Sequence, residues 1–260
     1  MLFATLFAFM IITSKSNKLV KYVSSLKQKK ARKENGVYIV EGVKMISEAI
    51  VAKKEIKLLV LSESAESKFE ISENEHITVS DEVFSFISDE VTPQGAIAVI
   101  ACENVTVDRV SGVSILLDGV SDPGNLGTIF RTAAAVGVRN VFLVNCCDPY
   151  SPKTVRSSMS GIFYIDIIEC DYDTAISALH GVTLLVGDMS GENVFEYNPP
   201  RDYCIVIGNE ANGVSEIMRK KADKTLKIPM SKNVESLNAG VSLSVMLYEL
   251  TAGKGRILTK

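Results

Sequence analysis

Three loops of this 260-residue chain carry residue types that can bind and react with a small ligand. The first spans residues 118–133, where Pro123 and the glycine after it predict a tight turn and Asn125 can hydrogen-bond the loop's own backbone. Gly127 is predicted to lead into a helix that carries Arg131 one turn inside, near an N-terminus that favours anions. The alternative is a purely structural turn followed by a surface arginine. For an isolated Asp-Pro-Gly turn, this structural interpretation is the favoured one.

The second loop, residues 205–213, follows an apolar strand and has the sequence IVIGNEANG. Gly208 permits the backbone to approach a ligand closely, and Glu210 lies in a polar segment that Gly213 closes. The segment lacks the lysine that a phosphate-binding loop needs after its second glycine, and the chain has no Gly-x-Gly-x-x-Gly. These absences exclude a Walker-type nucleotide site and remove the main support for a nicotinamide-dinucleotide site.

The third loop begins at Ile228, where Pro229 ends a predicted strand, and it leads into the long last helix. Ser236 or its neighbour is predicted to cap that helix, which then opens with Leu237 and Asn238. Backbone amides and carbonyls of this loop could line a pocket in which Ile228 and Leu237 pack on a flat apolar group. An ordinary helix cap is the alternative.

The elements that would position these loops alternate between Val/Ile/Leu-rich strands and helices from residue 113 onward. This alternation predicts a parallel sheet covered on both faces, and in such sheets ligands bind beyond the carboxyl ends of the strands. We predict strands at 113–118, 140–145, 165–169, 182–187, 203–208 and 225–229, with helices at 128–136, after Pro152, at 173–180, at 214–221 and from about Ser236 to Leu250.

A smaller α/β unit precedes this region. Strands are predicted at 37–42, 56–62 and 95–101, with a helix at 43–52. The polar segment 102–112 is the predicted boundary. The predicted domains therefore cover residues 14–102 and 113–260.

Composition restricts the class of protein. Hydrophobic residues make up 47% and charged residues 23% of the chain, which excludes a disordered or collagen-like protein. Five cysteines without a C-x-x-C pair and only two histidines argue against a disulfide framework and against a metal site, so a reducing cytoplasm and no metal are predicted. The apolar segment 1–12 is shorter than the roughly 20 residues of a membrane span. We therefore expect no membrane association, and we hypothesise an upstream start codon, with Met10 as the more ordinary beginning.

Basic residues are concentrated near the amino terminus, although the net charge of the chain is −3. Residues 15–33 contain eight lysines and arginines and no acidic residue. Such a cluster could contact phosphates, because basic side chains release condensed counterions from a polyanion. Leu19, Tyr22, Val23 and Leu26 recur at helical spacing in the same run, so the solvated face of an amphipathic helix is an equally good interpretation.

Taken together, the three loops resemble the three motifs of the SpoU (TrmH-like) ribose 2′-O-methyltransferases of the SPOUT superfamily. The chain has an Asp-Pro-x-Asn-x-Gly loop followed by Arg, a Gly-x-Glu-x-x-Gly strand end, and Ile-Pro-Met followed by Ser-Leu-Asn, in that order. Residues 35–50 and 92–99 are similar to the family's ribosomal-protein-like substrate-binding domain, so the resemblance extends from about residue 14 to 251. The chain departs from the family at Ser160, where Gly commonly follows the Met, and after Asn238, where Val-Ser is common.

The resemblance implies an α/β fold in which a C-terminal parallel-sheet trefoil-knot domain binds S-adenosylmethionine and a smaller N-terminal α/β domain binds the substrate. It also implies a homodimer with the cofactor helix at the subunit interface. The family's catalytic positions fall on Asn125, Arg131, Glu210, Ser236 and Asn238. Its cofactor-binding positions fall on Gly187, Ile207, Gly208, Asn209, Gly213, Ile228, Met230 and Leu237. The residues expected to contact RNA are Lys29, Lys30, Arg32, Lys153 and Arg156.

The implied activity is S-adenosylmethionine-dependent methyl transfer to a ribose 2′-hydroxyl of RNA. We favour 23S rRNA, because the additional N-terminal domain resembles the rRNA-directed members of the family. A transfer-RNA 2′-O-methyltransferase, an antibiotic-resistance methyltransferase of similar layout and a non-catalytic RNA-binding protein of the same fold are alternatives.

The catalytic positions are each assigned a role as hypotheses. Arg131 would clamp a phosphate and stabilise the developing alkoxide, since a guanidinium is a poor base, and Asn125 would orient the ribose. Glu210 would hold either Arg131 or the loop, and Ser236 with Asn238 would fix the loop and the cofactor.

Overall fold

The computed structural model describes residues 11–66 and 75–252, and the chain divides into two compact units. The first unit is Met1–Glu103 with Tyr150–Arg156, and the second is Asn104–Pro149 with Ser157–Lys260. Segment 150–156 therefore belongs to the first unit, although in sequence it interrupts the second. The predictions about the apolar beginning of the chain, including a start at Met10, lie outside the described residues.

A four-stranded mixed sheet forms the centre of the first unit. Its strands are β1 (Val37–Glu41), β2 (Ile56–Ser62), β3 (Ile77–Val79) and β4 (Ala96–Ala101), in the order β1-β4-β2-β3. Strand β4 is antiparallel to both neighbours, and β2 is parallel to β3. The helices are α1 (Lys18–Ser25), α2 (Lys29–Asn35), α3 (Val43–Val51), α4 (Glu63–Glu66) and α5 (Asp81–Ile87).

The basic run of residues 15–33 forms two short helices, α1 and α2, instead of one. Asn17 begins α1, because its side chain accepts a hydrogen bond from a backbone amide in the first turn. Val20, Val23 and Leu26 are buried in the core with residues of α5 and of the sheet. Of the apolar residues at helical spacing in the sequence, Val23 and Leu26 are therefore in the core and Tyr22 is half-buried, whereas Leu19 is exposed. The lysines of both helices are exposed.

The second unit is built on a six-stranded, all-parallel sheet. Its strands are β5 (Val113–Asp118), β6 (Asn140–Val144), β7 (Asp166–Glu169), β8 (Thr183–Asn193), β9 (Tyr203–Gly208) and β10 (Lys224–Lys227), in the order β10-β8-β9-β5-β6-β7. The helices are α6 (Pro123–Val136), α8 (Tyr172–Ala178), α9 (Glu216–Lys221) and α10 (Ala239–Leu250), while α7 (Pro152–Ser157) lies mostly in the segment that joins the first unit.

Every residue of β5 and β9 is buried, as expected for central strands of a sheet with helices on both faces. Side chains from α8 and α9, including Ala175 and Met218, share one core cluster with Leu116 and Val206 of these strands. Helix α10 packs against β9 and α6. After β9 the chain passes to the far edge at β10 and then returns to the middle of the sheet as α10.

Helix α6 begins at Pro123, whereas the sequence predicts that it begins at Thr128. Asp122 is its cap and accepts a 2.8 Å hydrogen bond from the amide of Asn125, and Pro123 occupies the first helical position, where its missing N–H costs nothing. Asn125 therefore lies in the first turn, and Arg131 lies more than two turns inside the helix. The prediction that Arg131 lies beside the positive helix terminus is wrong for this reason.

Helix α10 begins at Ala239 instead of near Ser236. Its cap is Asn238, whose side-chain oxygen accepts hydrogen bonds from the amides of Gly240 (2.9 Å) and Val241 (3.2 Å). Ser236 lies in the loop before the helix.

Within residues 11–66 and 75–252, the structure contains no helix that is long and apolar enough to cross a bilayer. The same described residues contain no group of three or more His, Cys, Asp or Glu side chains that could hold a metal ion.

Candidate active site

The first two loops begin side by side, because β5 and β9 are neighbours and Asp118 is paired with Gly208 at their carboxyl ends. The Asp118 side chain is buried and accepts 2.7 Å hydrogen bonds from the Tyr172 hydroxyl and the Ser215 amide. A Cβ atom on Gly208 would lie only 2.1 Å from the carbonyl carbon of Gly213. Only glycine therefore allows the second loop to fold back onto the end of its own strand.

Asn209 closes the second loop and joins it to the first. Its backbone exchanges two hydrogen bonds with Gly213, at 3.0 and 2.9 Å. Its side-chain oxygen accepts from the amides of Ala211 (2.9 Å) and Asn212 (3.1 Å), while its amide nitrogen donates to the carbonyl of Gly119 (2.8 Å). The two loops are thus held in one fixed arrangement.

Glu210 binds the first loop and makes no contact with Arg131. Its carboxylate accepts hydrogen bonds from the Ser121 amide (3.3 Å) and hydroxyl (3.0 Å), the Asp122 amide (3.4 Å) and the Asn125 side chain (2.8 Å). Partial burial alone would raise the pKa of Glu210, but the hydrogen bonds from Asn125 and Ser121 outweigh it and hold the pKa below its ordinary value. The group is therefore a fixed anion at neutral pH.

The third loop is joined to the other two through Asn238. Its side-chain nitrogen donates a 2.7 Å hydrogen bond to Asn125 Oδ1, and Asn125 Nδ2 in turn donates to Glu210. One chain of side chains, Asn238 to Asn125 to Glu210, therefore connects all three predicted motifs. Asn238 is also the cap of α10, so one side chain both begins that helix and holds its start against Asn125.

A pocket of about 440 Å³ opens beside this chain of hydrogen bonds. It is lined by all eight predicted cofactor-binding residues, namely Gly187, Ile207, Gly208, Asn209, Gly213, Ile228, Met230 and Leu237. Glu210 and Ser236 of the predicted catalytic set also line it. Further lining residues that sequence reasoning missed are Asp188, Met189, Arg219, Leu226, Glu235 and Met246. Of these, Asp188 and Met189 had a signal because they follow the carboxyl end of a predicted strand, and Glu235 had one because it lies within the third loop.

Arg131 is the one predicted catalytic residue that is not joined to this assembly. Its side chain is exposed on α6, it does not line the pocket, and it forms no hydrogen bond or ion pair with any residue in the described ranges. Its backbone is tightly fixed, because a Cβ atom on Gly161 would lie 2.7 Å from the Cα of Arg131. The 3-10 helix Gly161–Tyr164 thus packs directly on α6, after Met159 and Ser160 adopt positive φ values of 46° and 73°.

The predicted RNA-contacting residues differ widely in their surroundings. Arg32 is buried, and its guanidinium donates to the carbonyls of Leu26 (2.7 Å) and Lys27 (2.8 Å) at the end of α1. The prediction that Arg32 contacts RNA is therefore wrong, because the side chain caps a helix of the core. Among the others, Lys29 and Lys153 are exposed, Lys30 faces Glu34 at 3.8 Å and Arg156 pairs with Asp89 at 3.5 Å.

Comparison with known families decides between the chemistries that such a pocket could serve. Residues 112–248 match the model of the SpoU rRNA Methylase family, which is more than half of the chain. The chain belongs to the SpoU rRNA methylase family. Residues 17–98 of this SpoU chain also match the MRM3-like substrate binding domain.

Curated relatives of the SpoU chain include ribosomal-RNA methyltransferases of nearly the same length. The 23S rRNA (guanosine(2553)-2′-O)-methyltransferase RlmP of Bacillus subtilis is 28% identical over 244 residues, covering 92% of this chain and 98% of the relative. The 23S rRNA (uridine(2479)-2′-O)-methyltransferase of Streptomyces viridochromogenes is 28% identical over 259 residues, covering 92% of this chain and 90% of the relative.

Solved structures similar to the SpoU chain include two with bound AdoMet. The AdoMet-bound rRNA methyltransferase of Sinorhizobium meliloti has a TM-score of 0.84 and 27% identity, covering 96% of this chain and 99% of that one. The SpoU methyltransferase AviRb of Streptomyces viridochromogenes, in complex with AdoMet, has a TM-score of 0.79 and 26% identity, covering 90% of this chain and 97% of that one. The resemblance drawn from the three loops is confirmed, as is the α/β fold class of SPOUT methyltransferases with a smaller N-terminal domain that has its own sheet.

Proposed function

We propose that this chain is an S-adenosylmethionine-dependent methyltransferase that methylates a ribose 2′-hydroxyl of 23S rRNA. The observation that carries the proposal is that the second and third loops line one pocket, and that the first loop is hydrogen-bonded to both of them beside it, in the series Asn238, Asn125 and Glu210. The relatives named as 23S rRNA 2′-O-methyltransferases, which match nearly the full chain, support this choice of substrate over transfer RNA.

The pocket fits S-adenosylmethionine in size and chemistry. A volume of about 440 Å³ lies within the roughly 300–1,000 Å³ of small-molecule sites. Ile207, Ile228 and Leu237 offer apolar surface for the adenine ring, and backbone groups of the second and third loops offer polar contacts. The carboxylate of Glu235 complements the positive charge of the ligand. When bound, the sulfonium supplies an activated methyl group for transfer to an oxygen nucleophile.

Asn125 is suited to orient the ribose. Its side-chain amide has two N–H donors and two acceptor lone pairs, of which Glu210 and Asn238 engage one each. One donor and one acceptor remain for the hydroxyls of a sugar, and the engaged pair fixes the plane of the amide. Glu210 acts by holding Asn125 and the loop, because a carboxylate with a lowered pKa and several donors is a weak proton acceptor.

Arg131 is proposed to bind a phosphate of the RNA next to the target sugar. A guanidinium keeps its proton at any accessible pH, so its role is to place positive charge beside the developing alkoxide and not to act as a base. Its exposure, together with its lack of a hydrogen-bond partner in the described part of the chain, leaves all its donors available for that contact.

The surface of α1 and α2 is proposed to bind further phosphates. Lys18 and Lys21 of α1 and Lys29 and Lys33 of α2 are exposed, and none of them forms an ion pair within the described ranges. Each pair is three or four residues apart, so its members lie on one face of their helix. The other basic residues of the run are engaged, as Arg32 is, or are paired with acids, as Lys15 is with Glu82.

We further propose that the protein is a homodimer in the reducing cytoplasm. Val241 and Tyr248 of α10, which are two helical turns apart on one face, are 46% and 45% exposed, and apolar surface of this kind is suited to a subunit interface. The chain has five cysteines and no C-x-x-C pair, a pattern that fits a reducing compartment. Sedimentation equilibrium should give twice the chain mass for the protein and the single mass for a Tyr248→Lys variant.

Incubation of the purified chain with methyl-labelled S-adenosylmethionine tests the activity. Protein-free 23S rRNA, 16S rRNA and bulk transfer RNA are the three substrates, and digested nucleosides are separated by mass spectrometry. The proposal predicts a 2′-O-methylated nucleoside from 23S rRNA alone. Label in transfer RNA alone would favour the transfer-RNA alternative, and no label with retained RNA binding would favour a non-catalytic RNA-binding protein.

A further inference from the structure

The pairing of strand β8 with its partner β10 is interrupted beside the pocket. Val186 pairs with Thr225, but the next residue of β10, Leu226, pairs with Glu192. Residues 187–191 therefore bulge out of the β8–β10 ladder. Bulges are common next to active sites, where they aim side chains at the site. The bulge contributes Gly187, Asp188 and Met189 to the wall of the pocket.

A glycine lies at each end of the bulge. A Cβ atom on Gly191 would lie 2.5 Å from the carbonyl oxygen of Thr225, so the two backbones are in direct contact there. A Cβ atom on Gly187 would lie 2.9 Å from Cδ1 of Ile207, a side chain that also lines the pocket. The middle of the bulge has no ladder partner on β10, and its position depends on side-chain contacts.

Arg219 of α9 supplies such a contact. Its Nη1 lies 2.6 Å from Asp188 Oδ2, and its Nε donates a 2.8 Å hydrogen bond to the carbonyl oxygen of Val214. One guanidinium therefore connects the bulge with the end of the loop that contains Gly208 and Gly213, and both segments line the pocket. A Cβ atom on Gly213 would come within 3.0 Å of Arg219 Nη2, so glycine leaves the room that the guanidinium occupies.

Asp188 is fully engaged on its side of this connection. While Oδ2 faces Arg219, Oδ1 accepts hydrogen bonds from the amide (3.0 Å) and hydroxyl (2.8 Å) of Ser190. Burial alone would raise the pKa of Asp188, but the hydrogen bonds from Ser190 and the charge of Arg219 outweigh it and lower the pKa. The side chain of Asp188 is 17% exposed and that of Arg219 is 45% exposed, so the aspartate is the shielded partner of this ion pair.

We propose that Arg219 is a positioning residue of the methyl-donor pocket, which holds the 187–191 bulge and the 208–214 loop at the separation that S-adenosylmethionine requires. This inference rests on the proposed function of the pocket. Arg219 acts through the two walls and not through the reacting atoms, because its Nε and Nη1 are directed at Val214 and Asp188. It therefore governs affinity for the methyl donor and leaves the rate of transfer at saturation unchanged.

Titration calorimetry with S-adenosylmethionine on the full chain tests the role. The variants are Arg219→Gln, Arg219→Lys, Asp188→Asn and the double variant Arg219→Gln with Asp188→Asn. The matched control is Lys220→Gln, which removes a neighbouring charge of α9 that pairs with Glu216 on the surface, away from the pocket. The melting temperature of each variant without ligand and its kcat at saturating methyl donor are measured in parallel.

Arg219→Gln and Asp188→Asn are each expected to raise Kd about 10-fold, which corresponds to the loss of one charge-assisted contact. The double variant should bind no more weakly than the worse single variant, because the two residues act as one unit. Arg219→Lys should fall between the wild type and Arg219→Gln, since lysine keeps the charge but not the fork that reaches two acceptors. Lys220→Gln should bind as the wild type does, and kcat should stay within about 2-fold for every variant.

Three results would overturn the positioning role: a Kd of Arg219→Gln equal to that of Lys220→Gln, additive effects in the double variant, or a loss of affinity that follows melting temperature with no rescue by lysine. If the wild-type chain itself does not bind S-adenosylmethionine, the proposed function fails first and the positioning role falls with it. Calorimetry of the wild type separates that outcome from a failure of the positioning role alone.

Discussion

The side-chain nitrogen of Asn238 donates a 2.7 Å hydrogen bond to Oδ1 of Asn125, although the two residues are 113 positions apart in the chain. Asn125 is in the first turn of α6, and Asn238 is the cap of α10. The contact therefore joins the starts of two helices, each of which follows one of the three motifs. Since Asn125 also donates to Glu210, its side chain is hydrogen-bonded to both of the other loops.

Replacing Asn125 should reduce catalysis much more than it reduces folding. In Asn125→Ala, the hydrogen bonds to the Glu210 carboxylate and from Asn238 are lost at a partly exposed site. We expect kcat for methyl transfer to fall about 10- to 100-fold, which corresponds to about 1.5–3 kcal/mol for a bond to a charged group. Asn35→Ala is the matched control, since that asparagine bonds only to a helix carbonyl in the first unit. An Asn125→Ala enzyme with unchanged kcat would contradict the role assigned to the side chain.

The stability that Glu210 provides should depend on pH. Its folded-state pKa is below the ordinary value of 4.5, so its contribution is fully present above that value and is lost as the pH falls through the folded-state pKa. Urea unfolding of wild type and Glu210→Gln should therefore differ by a constant amount from pH 7 to about 5.5, and the two should converge in more acid solution. Glu216→Gln, which breaks an exposed pair with Lys220, should differ little from wild type at any pH. A difference between wild type and Glu210→Gln that grows toward acid pH would have the wrong sign.

Ser160 is predicted to be a strained position that glycine would relieve. Its φ of 73° lies in the left-handed region, which costs a residue with a Cβ atom about 1–2 kcal/mol. We expect Ser160→Gly to raise the free energy of unfolding by about 1 kcal/mol, measured by urea denaturation. Ser160→Ala removes the same hydroxyl but keeps the Cβ atom, so it should give no such gain. Equal stabilities of the two variants would show that φ is not the cause.

The exposed lysines of α1 and α2 should determine how strongly RNA binding depends on salt. Changing Lys18, Lys21, Lys29 and Lys33 together to glutamine should weaken binding, and it should reduce the slope of log K against log salt by about 0.7–0.9 for each phosphate contact that is lost.

The control for this set is the double variant Lys54→Gln with Lys57→Gln. Those lysines are paired with Glu103 and Glu55 in the same unit. This control should leave the slope unchanged. An equal change of slope per lysine in the two sets would mean that only net charge matters.

Much of the second unit could be predicted because its strands are continuous apolar runs. The bounds of β5 and β9 are the predicted ones, and the pocket is lined by every residue assigned to the cofactor. The start of α6 was missed because Pro123, Gly124 and Asn125 are also turn formers, and the competing signal, an aspartate cap followed by proline, was outweighed.

Other features could not be predicted from local sequence at all. The burial of Arg32 depends on how α2 turns back on the end of α1, and its type and spacing match those of a surface residue. The bulge at 187–191 appears only when β8 and β10 are paired. Arg219 and Asp188 are likewise brought together by the sheet, since nothing in either segment indicates its partner.

The most direct measurement is a map of 2′-O-methylated nucleotides in the ribosomal RNA of the source organism, with and without a functional gene for this chain. Three strains are compared: one lacking the gene, one complemented with the wild type and one complemented with Arg131→Ala. We predict that one ribose methylation of 23S rRNA disappears in the deletion strain, returns with the wild type and stays absent with Arg131→Ala. An unchanged set of 2′-O-methyl groups in all three strains, or the loss of a base methylation instead, would contradict the assignment of the three loops to ribose methyl transfer on this RNA.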